Sequence, residues 1–327
     1  MRLSYILPIK WDAGQDTHEL TGYLESIADQ VELIVVDGSN PANFLLHKEA
    51  WGSYGKHIPP APDFQFVNGK VNGVMTGLRV AQHEKVIIAD DDVRYTPEQL
   101  RLVAALLEDV QLVVPQNYFS PSPWHAQWDT ARTLLNRALH HDYPGTLAVQ
   151  RDFINQLGGY DGNVLFENLE LMRTVKAGYG KVLYKPDLYI ERLPPSDKHF
   201  WSQRVRQAYD DYAQPLKLSF FFTLIPALIT SAFVSPLMPL GLLALSVPVA
   251  EAGRRMHGGA KYFPAACALY APCWLLERGL CTWLAMFAKL RYGGVRYNNR
   301  IISIAANPIW KLRSKLNASR IVNTASV

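Results

Sequence analysis

Short, wholly apolar segments alternate with amphipathic segments over the first half of the chain. The apolar, β-branched segments predict strands at residues 4–7, 32–36, 86–89 and 112–114. Apolar residues at helical spacing predict helices at residues 17–28, with Asp16 as N-cap, at residues 71–82 and, after the proline-containing loop 119–123, at residues 124–140. This order predicts an α/β domain with a Rossmann-like, mostly parallel sheet that carries helices on both faces.

The chain then becomes strongly apolar. Residues 216–250 carry one charge, Lys217, and would form a straight helix of about 52 Å, too long for a hydrocarbon core of about 30 Å. Breaks at Pro226, Pro236 and Pro239 therefore predict two short membrane spans, or one span and an interfacial piece. A buried helical hairpin of a soluble protein is the alternative.

A second apolar zone, residues 262–290, is interrupted by Glu277 and Arg278. A charge pair is costly in the middle of a bilayer, so we expect these two side chains at the membrane interface or facing another helix. Two helical hairpins, and thus an even number of spans, would place both the N-terminal domain and the C-terminal tail on the cytoplasmic side.

The formal charge of +4 conceals an uneven distribution. Residues 251–327 contain 12 Lys and Arg against 2 Asp and Glu, whereas the rest of the chain contains 21 against 27. A basic end beside apolar segments favours an anionic cytoplasmic membrane surface, and the lack of interleaved aromatic residues argues against nucleic acid. The N-terminal apolar run is too short for a signal peptide, so we expect an integral protein of the inner or plasma membrane whose catalytic domain is cytoplasmic.

Acidic side chains follow two of the predicted strands. Asp37 follows ELIVV, and Asp90, Asp91 and Asp92 follow KVIIA. Ligands of open parallel sheets bind beyond the carboxyl ends of the strands, and clustered carboxylates there suit a divalent cation with a diphosphate. The alternatives are a strand-end turn for Asp37 and a solvated turn or helix N-cap for the triplet.

These segments resemble the inverting family 2 glycosyltransferases of the GT-A fold, and the likeness extends through residues 1–213. The resemblance implies that Asp37 contacts the nucleoside and that Asp90 and Asp92 form a DXD motif, in which Asp90 and Asp92 bind Mg²⁺ or Mn²⁺ and Asp90 also binds the donor diphosphate. We therefore expect a nucleotide-sugar transferase domain at residues 1–213, transmembrane or interfacial helices at 214–292 and a basic cytoplasmic tail at 293–327.

The segment NGKVNGVMTGLRVA resembles the family's stretch before the DXD strand. The resemblance makes Lys70 and Asn72 donor-side contacts. A lysine at this point is also typical of an exposed helix start.

The segment GGYDGNVLFENLELMRTVKAGYG resembles the family block that holds the general base. The usual Glu-Asp pair corresponds to Glu167 and Asn168, and asparagine cannot accept the acceptor proton. Either Glu167 is the base, with Asp161 or Glu170 as substitutes, or the acceptor needs little activation. Alternatively, Glu167 is only a favourable charge at a helix N-terminus.

The segment HFWSQRVRQAYDDY resembles the family's QxxRW region. It aligns Gln203 and Arg206, and places Gln207 where the family has a tryptophan that stacks on the growing chain of processive relatives. Arg206 and Arg204 are expected to bind the donor diphosphate, and Trp201 is a candidate acceptor-side sugar platform. A basic amphipathic helix on the membrane surface is the alternative.

Together these features predict transfer of a hexose from a UDP- or GDP-sugar, with UDP favoured, to a lipid or other membrane-associated acceptor with inversion. A catalytically weak GT-A subunit that scaffolds a glycolipid or polysaccharide assembly complex is the alternative, because of Asn168 and the missing tryptophan. A nucleotidyltransferase would need a Gly-rich basic loop near the N-terminus, and KWDAGQDTHEL is not one.

Overall fold

The computed structural model describes residues 2–11, 16–297 and 300–325, with side chains through residue 318. The chain forms two units, each built from separate pieces of sequence. The first unit contains residues 1–115, 144–185 and 307–327, and the second contains residues 116–143 and 186–306. The domain boundaries expected at residues 213 and 292 stay a prediction.

The structure contains ten described strands, in two sheets. The strands are β1 Leu3–Ile9, β2 Glu32–Asp37, β3 Lys56–Ile58, β4 Lys85–Ala89, β5 Val93–Arg94, β6 Leu112–Phe119, β7 Thr146–Gln150, β8 Val182–Arg192, β9 Val295–Tyr297 and β10 Arg300–Ile302. The large sheet has the order β3-β2-β1-β4-β7-β6-β8-β5, and β9 pairs antiparallel with β10. All four predicted strands lie within observed ones.

Helices fill most of the remaining described chain. They are α1 His18–Ala28, α2 Pro41–Trp51, α3 Gly69–Val80, α4 Pro97–Leu106, α5 Trp124–Leu139, α6 Arg151–Gln156, α7 Glu167–Ala177, α8 Asp197–Ser202, α9 Arg204–Tyr209, α10 Pro215–Val234, α11 Met238–Ala244, α12 Ser246–Arg255, α13 Ala266–Leu269, α14 Ala271–Tyr292 and α15 Ile309–Ala325, with short 3₁₀ helices at Asp210–Ala213 and Met256–Lys261. The three predicted helices correspond to α1, α3 and α5. Thr17 is the N-cap residue of α1, and Asp16 instead accepts a hydrogen bond from the His18 N–H.

The first unit is built on the parallel strands β1, β2, β3 and β4. β1 is central and pairs parallel with β2 on one side and β4 on the other. β4 then pairs antiparallel with β7, which pairs antiparallel with β6. The α/β class and the mostly parallel sheet are therefore confirmed, because strands such as ELIVVD are apolar enough to be buried on both faces.

Two glycines let α3 pack closely on β1. A Cβ atom at Gly73 would lie 2.8 Å from Pro8 Cβ, and one at Gly77 would lie 2.5 Å from Ile6 Cγ2. Since both strand side chains belong to or adjoin the buried core, only glycine permits this approach. The contact fixes the N-terminal end of α3 beside the carboxyl end of the sheet.

The second unit is largely helical. Its core joins apolar side chains of α5, α10, α12 and α14, including Leu134, Phe221, Ala250 and Trp274. The N-terminal half of the apolar segment forms one uninterrupted helix, α10, which continues through Pro226. The chain breaks at residues 235–237, before α11, which agrees with the break predicted at Pro236. Pro226 therefore does not end the helix, unlike the sequence prediction.

Within the part of the chain that the structure describes, α10 is the one helix long and apolar enough to cross a membrane. It has 20 residues, and much of its surface is exposed, with Phe233 at 87%. The second apolar zone forms α13 and α14, which do not meet this criterion. Two membrane hairpins therefore stay a prediction.

The charged pair inside the second apolar zone faces other elements of the second unit. The buried Arg278 guanidinium forms two hydrogen bonds with the Asp211 carboxylate, at 2.8 and 3.1 Å. Glu277 accepts a hydrogen bond from Trp128 Nε1 at 3.0 Å. This is one of the two arrangements that the sequence predicted, and it gives each buried charge a partner.

Candidate functional site

The acidic triplet forms a turn at the carboxyl end of β4. The Val93 N–H donates to the Asp90 carbonyl at 3.1 Å, which places Asp91 and Asp92 at the centre of the turn. Trp11 Nε1, at the end of β1, donates to Asp91 Oδ2 at 2.6 Å. All three carboxylate residues are half-buried, so the turn presents its acidic groups at the edge of the sheet.

Lys70 connects this turn to α7. Its ammonium group lies 2.5 Å from Asp90 Oδ1 and 2.8 Å from Glu167 Oε1. Burial lowers the pKa of Lys70, but the two carboxylates outweigh it and hold the pKa well above its ordinary value. The structure thus places a permanent positive charge between the predicted metal ligand Asp90 and the predicted base Glu167.

Asn68, the N-cap of α3, holds the same region from the other side. Its side chain accepts from the Lys70 N–H at 3.1 Å and donates to the Val164 carbonyl at 3.3 Å and to Glu167 Oε2 at 3.4 Å. Its own N–H donates to the Gly162 carbonyl at 2.9 Å. Glu167 is therefore held by two donors, Lys70 and Asn68.

The first turn of α7 carries the predicted base. Glu167 is its first residue, with a side chain that is 16% exposed, so the carboxylate is both fixed and accessible. Asn168 is committed elsewhere, because its amide donates to the Pro144 carbonyl at 2.9 Å. Of the Glu-Asn pair, Glu167 is the residue whose side chain joins the Asp90 region.

Asp37 lies at the end of β2 in a buried hydrogen-bonded cluster. Its Oδ2 atom is 2.7 Å from His47 Nδ1 and 3.1 Å from His57 Nε2, and its Oδ1 atom accepts from the Ser39 N–H at 2.8 Å. Burial raises the pKa of Asp37, but the hydrogen bonds from these three residues outweigh it and lower the pKa to about 2. The predicted nucleoside contact is a buried carboxylate with both oxygens engaged.

Asn72 also has a local role that the sequence did not indicate. Its amide accepts from the Phe66 N–H at 2.9 Å and donates to the Phe66 carbonyl at 3.1 Å. Both ends of the amide are thus used to clamp the loop before α3. The structure brings Lys70, rather than Asn72, to the acidic turn.

The predicted diphosphate contacts of the QxxRW-like segment lie in the second unit. Arg204 is buried, and its guanidinium donates to Asp129 Oδ1 and to the Phe200 carbonyl, both at 3.0 Å. Gln203 contacts the His199 ring, and the Arg206 guanidinium lies 5.3 Å from the centre of the Tyr297 ring. Arg204 therefore has a structural ion pair where the sequence predicted a phosphate contact.

Trp201 belongs to an aromatic cluster of the second unit. Its ring centre lies 4.9 Å from that of Phe200, 6.0 Å from that of Trp128 and 6.3 Å from that of Trp124. Half of Trp201 is exposed. The cluster leaves a ring surface available, as a sugar platform or a membrane-interface contact requires.

A divalent cation fits the donor set of the acidic turn. Asp90 and Asp92 offer carboxylate oxygens two residues apart on one half-buried turn, and hard cations such as Mg²⁺ and Mn²⁺ prefer these ligands. These two side chains would hold the ion, which when bound supplies positive charge to the diphosphate. The Asp37, His47 and His57 cluster also brings three ligand atoms within 4.8 Å of one another, but its carboxylate is already satisfied by the two rings.

The segment that contains these residues matches a known protein family. Residues 17–167, which contain the acidic turn, Lys70 and Glu167, match the model of glycosyl transferase family 2. The match covers a little under half of the chain, so this segment is similar to the family 2 glycosyltransferases. The comparison with curated proteins finds no match.

Two of the solved structures that are similar to this chain are described here. A mannosyltransferase from Pyrobaculum calidifontis in complex with GDP-Man and Mn²⁺ is 16% identical, with a TM-score of 0.49, over 86% of this chain and 87% of that one. Glucosyl-3-phosphoglycerate synthase from Mycobacterium tuberculosis in complex with Mg²⁺ and uridine diphosphate is 18% identical, with a TM-score of 0.41, over 60% of this chain and 73% of that one.

The sequence did not predict several residues that shape this region. These residues are single side chains outside any repeating pattern. His47 and His57 bind Asp37, Trp11 binds Asp91, and Asn68 binds Glu167. Only Asn68 carried a signal, because asparagine two residues before Lys70 is a favoured helix N-cap.

Proposed function

We propose that the protein transfers a hexose from a UDP- or GDP-sugar, preferably UDP, to a lipid or other membrane-associated acceptor, with inversion at the sugar carbon. The observation that carries the proposal is the Lys70 bridge within a family 2 domain. It joins a carboxylate at the end of β4 to a carboxylate at the start of α7. Donor binding and acceptor activation are the two tasks of a glycosyl transfer. In the proposed assignment, Lys70 links one residue for the first task, Asp90, to one residue for the second, Glu167.

In the proposed reaction the chain's own groups divide the work. Asp90 and Asp92 would hold Mg²⁺ or Mn²⁺, and Lys70 would contribute a fixed positive charge on the diphosphate side. Glu167 accepts the proton of the acceptor hydroxyl at Oε1 or Oε2 as that oxygen attacks the sugar carbon. The bond from the same carbon to the diphosphate oxygen breaks on the opposite face, and the nucleoside diphosphate leaves with that electron pair. Asn68 and Lys70 keep the Glu167 carboxylate oriented for that transfer.

A membrane-associated acceptor is supported by the surface of α10. This helix is 20 residues long, apolar and largely exposed, and we propose that it anchors an integral inner- or plasma-membrane protein with the catalytic domain on the cytoplasmic side. An acceptor supplied from the bilayer would then be delivered without leaving the membrane surface.

A second candidate function, a catalytically weak scaffolding subunit, is favoured by one observation. Asn168 stands where the family has its usual base, and its amide is bound to the Pro144 carbonyl. If Glu167 does not replace that base, the domain would bind a nucleotide sugar without turning it over.

The test uses the detergent-purified full chain with UDP- and GDP-sugars and a lipid extract, with Mg²⁺, Mn²⁺ or EDTA. We expect release of the nucleoside diphosphate and glycolipid formation only with metal, and their loss in Asp92→Asn but not in Asp109→Asn, an exposed aspartate outside the turn. Full activity of Asp92→Asn, or activity in EDTA, would contradict the metal assignment. Donor binding without turnover in any lipid extract would support the scaffold.

A further inference from the structure

The residue that follows the second unit, Asn307, reaches the helix that carries Glu167. Its N–H donates to Glu170 Oε2 at 2.7 Å and its side-chain amide donates to Glu170 Oε1 at 2.8 Å. The same amide donates to Asp161 Oδ2 at 3.2 Å, and Arg173 Nη1 donates back to the Asn307 carbonyl at 3.0 Å. One residue therefore contacts two parts of α7 and the loop before it, all within the first unit.

Burial makes these hydrogen bonds consequential. Glu170 is fully buried and Asn307 is 1% exposed. If one of them lost its partner, bulk water would not reach it to form a replacement hydrogen bond. A buried carboxylate whose donors are removed keeps its desolvation cost, which is larger than the strength of the bonds themselves. Without the Asn307 amide, Glu170 and Asp161 would also lose the donor that they share.

Helix α15 holds Asn307 in register. Lys315 on this helix lies 3.4 Å from Asp161 Oδ2, the same oxygen that accepts from the Asn307 amide. Leu312 of the same helix is buried. The C-terminal segment thus rests along the helix whose first residue is Glu167.

Glu170 lies in the first turn of α7, three residues after Glu167, and Asp161 lies in the loop that leads into it. Residues three apart lie on adjoining parts of one helix surface, so a shift of Glu170 moves the Glu167 backbone with it. Gly162, next to Asp161 in this loop, accepts a hydrogen bond from the Asn68 N–H. Asn307 adds a further anchor, which binds the loop and Glu170 together.

We propose that Asn307 is a positioning residue for the transfer reaction: by binding Glu170 and Asp161 together, it fixes the first turn of α7 so that the Glu167 carboxylate stays beside Lys70. The kinetic part of this inference rests on the proposed function. The positional part does not, because it concerns the order of α7 alone.

The kinetic test compares Asn307→Ala and Asn307→Asp with Arg313→Ala, a control on α15 that contacts neither carboxylate. We expect kcat to fall at least about tenfold in Asn307→Ala and further in Asn307→Asp, with KM for the nucleotide sugar within about twofold of wild type. Arg313→Ala should keep both constants. A rise in KM alone, or wild-type kcat in both variants, would overturn the proposal.

A rescue variant separates positioning from loss of fold. In Glu170→Gln combined with Asn307→Asp, the amide and the carboxylate exchange places, so the pair can bond again. We expect the double variant to recover several-fold of the kcat lost in Asn307→Asp, a non-additivity that general destabilisation does not produce. A double variant that is worse than both single variants would contradict a direct Asn307–Glu170 contact.

Hydrogen exchange supplies a readout that needs no turnover. Peptides covering residues 160–170 should lose protection in Asn307→Ala and keep it in Arg313→Ala. If the wild-type chain shows no transferase activity but this difference appears, the proposed function fails and the positional inference stands. Unchanged protection in Asn307→Ala would overturn the inference whatever the activity.

Discussion

Lys70 Nζ lies 2.8 Å from Glu167 Oε1, although 97 residues separate them in sequence. The same ammonium group contacts Asp90 at 2.5 Å. One positive charge therefore stands between two carboxylates to which the proposed function gives different tasks. Asp90 is assigned to metal and diphosphate binding, and Glu167 to acceptor activation. A substitution at Lys70 should therefore affect both donor binding and turnover.

Replacing Lys70 by Met tests this double role. The substitution keeps the length of the side chain but leaves Asp90 and Glu167 facing each other without a counter-charge. We expect kcat/KM to fall by about 100-fold, with weaker donor binding as well as slower turnover. Lys56→Met, which breaks an ion pair with Glu32 in the same unit, is the control and should retain activity. Retention of normal donor affinity by Lys70→Met would limit Lys70 to the acceptor side.

Glu167→Gln separates proton transfer from donor binding. Glutamine keeps the shape and can still bond to Lys70 or Asn68, but it cannot accept the acceptor proton. We expect kcat to fall by about 100- to 1,000-fold while the dissociation constant for the nucleoside diphosphate changes little. Asp161→Asn and Glu170→Gln, measured alongside, test the two substitute bases. A larger kcat loss in Asp161→Asn than in Glu167→Gln would transfer the role to Asp161.

Asp37→Asn tests the buried cluster through stability. The pKa of Asp37 is lowered from its ordinary 3.8 to about 2, so the folded state favours the ionised form. A lowered acid pKa adds stability above pH 4 that disappears as pH falls through about 2, and a shift of this size corresponds to about 2 kcal/mol. Urea unfolding at pH 7 should show Asp37→Asn less stable by about that amount, with the gap narrowing below pH 4. A gap that stays constant down to pH 2 would show that the carboxylate charge is not its cause.

Gly73→Ala tests the close contact between α3 and β1. The added methyl group would lie 2.8 Å from Pro8 Cβ, whose ring cannot move aside. We expect a loss of about 1–3 kcal/mol in unfolding free energy, as for other overpacked cores. Gly69→Ala is the matched control in the same helix, because nothing lies within 4 Å of its Cβ position. Equal stability of the two variants would show that α3 does not pack as described.

Ile229→Lys tests the membrane role of α10. Ile229 is more than half exposed in the C-terminal half of this helix, and a lysine inside a bilayer costs up to about 2.5–3.5 kcal/mol. We expect wild-type protein to float with phospholipid vesicles and to resist alkaline extraction, and the variant to lose part of this association. Leu139→Lys places the same charge on an exposed leucine outside α10 and should float normally. Wild-type protein that stays in the soluble fraction would exclude the anchor.

The sheet could be predicted because the buried strands are recognisable from their own short sequences. Segments such as ELIVVD and KVIIA are apolar at consecutive positions, and the position of Asp37 and Asp90 at their ends follows from strand length alone. Lys70 and Glu167 came from resemblance to a family, and the structure brings them together.

The partners of these residues could not be predicted, since they depend on contacts between distant segments. His47 and His57 satisfy Asp37 across 10 and 20 residues, and neither lies in a motif. Arg204 reads as a phosphate ligand in sequence, yet Asp129, 75 residues away, occupies its guanidinium. The residue type of a side chain indicates which groups it can bind. Whether another residue of the same chain already occupies it depends on the fold.

The first unit is divided in sequence, so its parts are synthesised at different times. The segment 307–327 completes a unit whose other parts lie before residue 186. On a ribosome, the sheet, Lys70 and Glu167 emerge long before Asn307 does, and the apolar helix α10 emerges between them. The first turn of α7 therefore gains its hydrogen bonds from Asn307 only after all of the helices α10 to α14 have been made. Until then, a nascent chain carries an incomplete first unit.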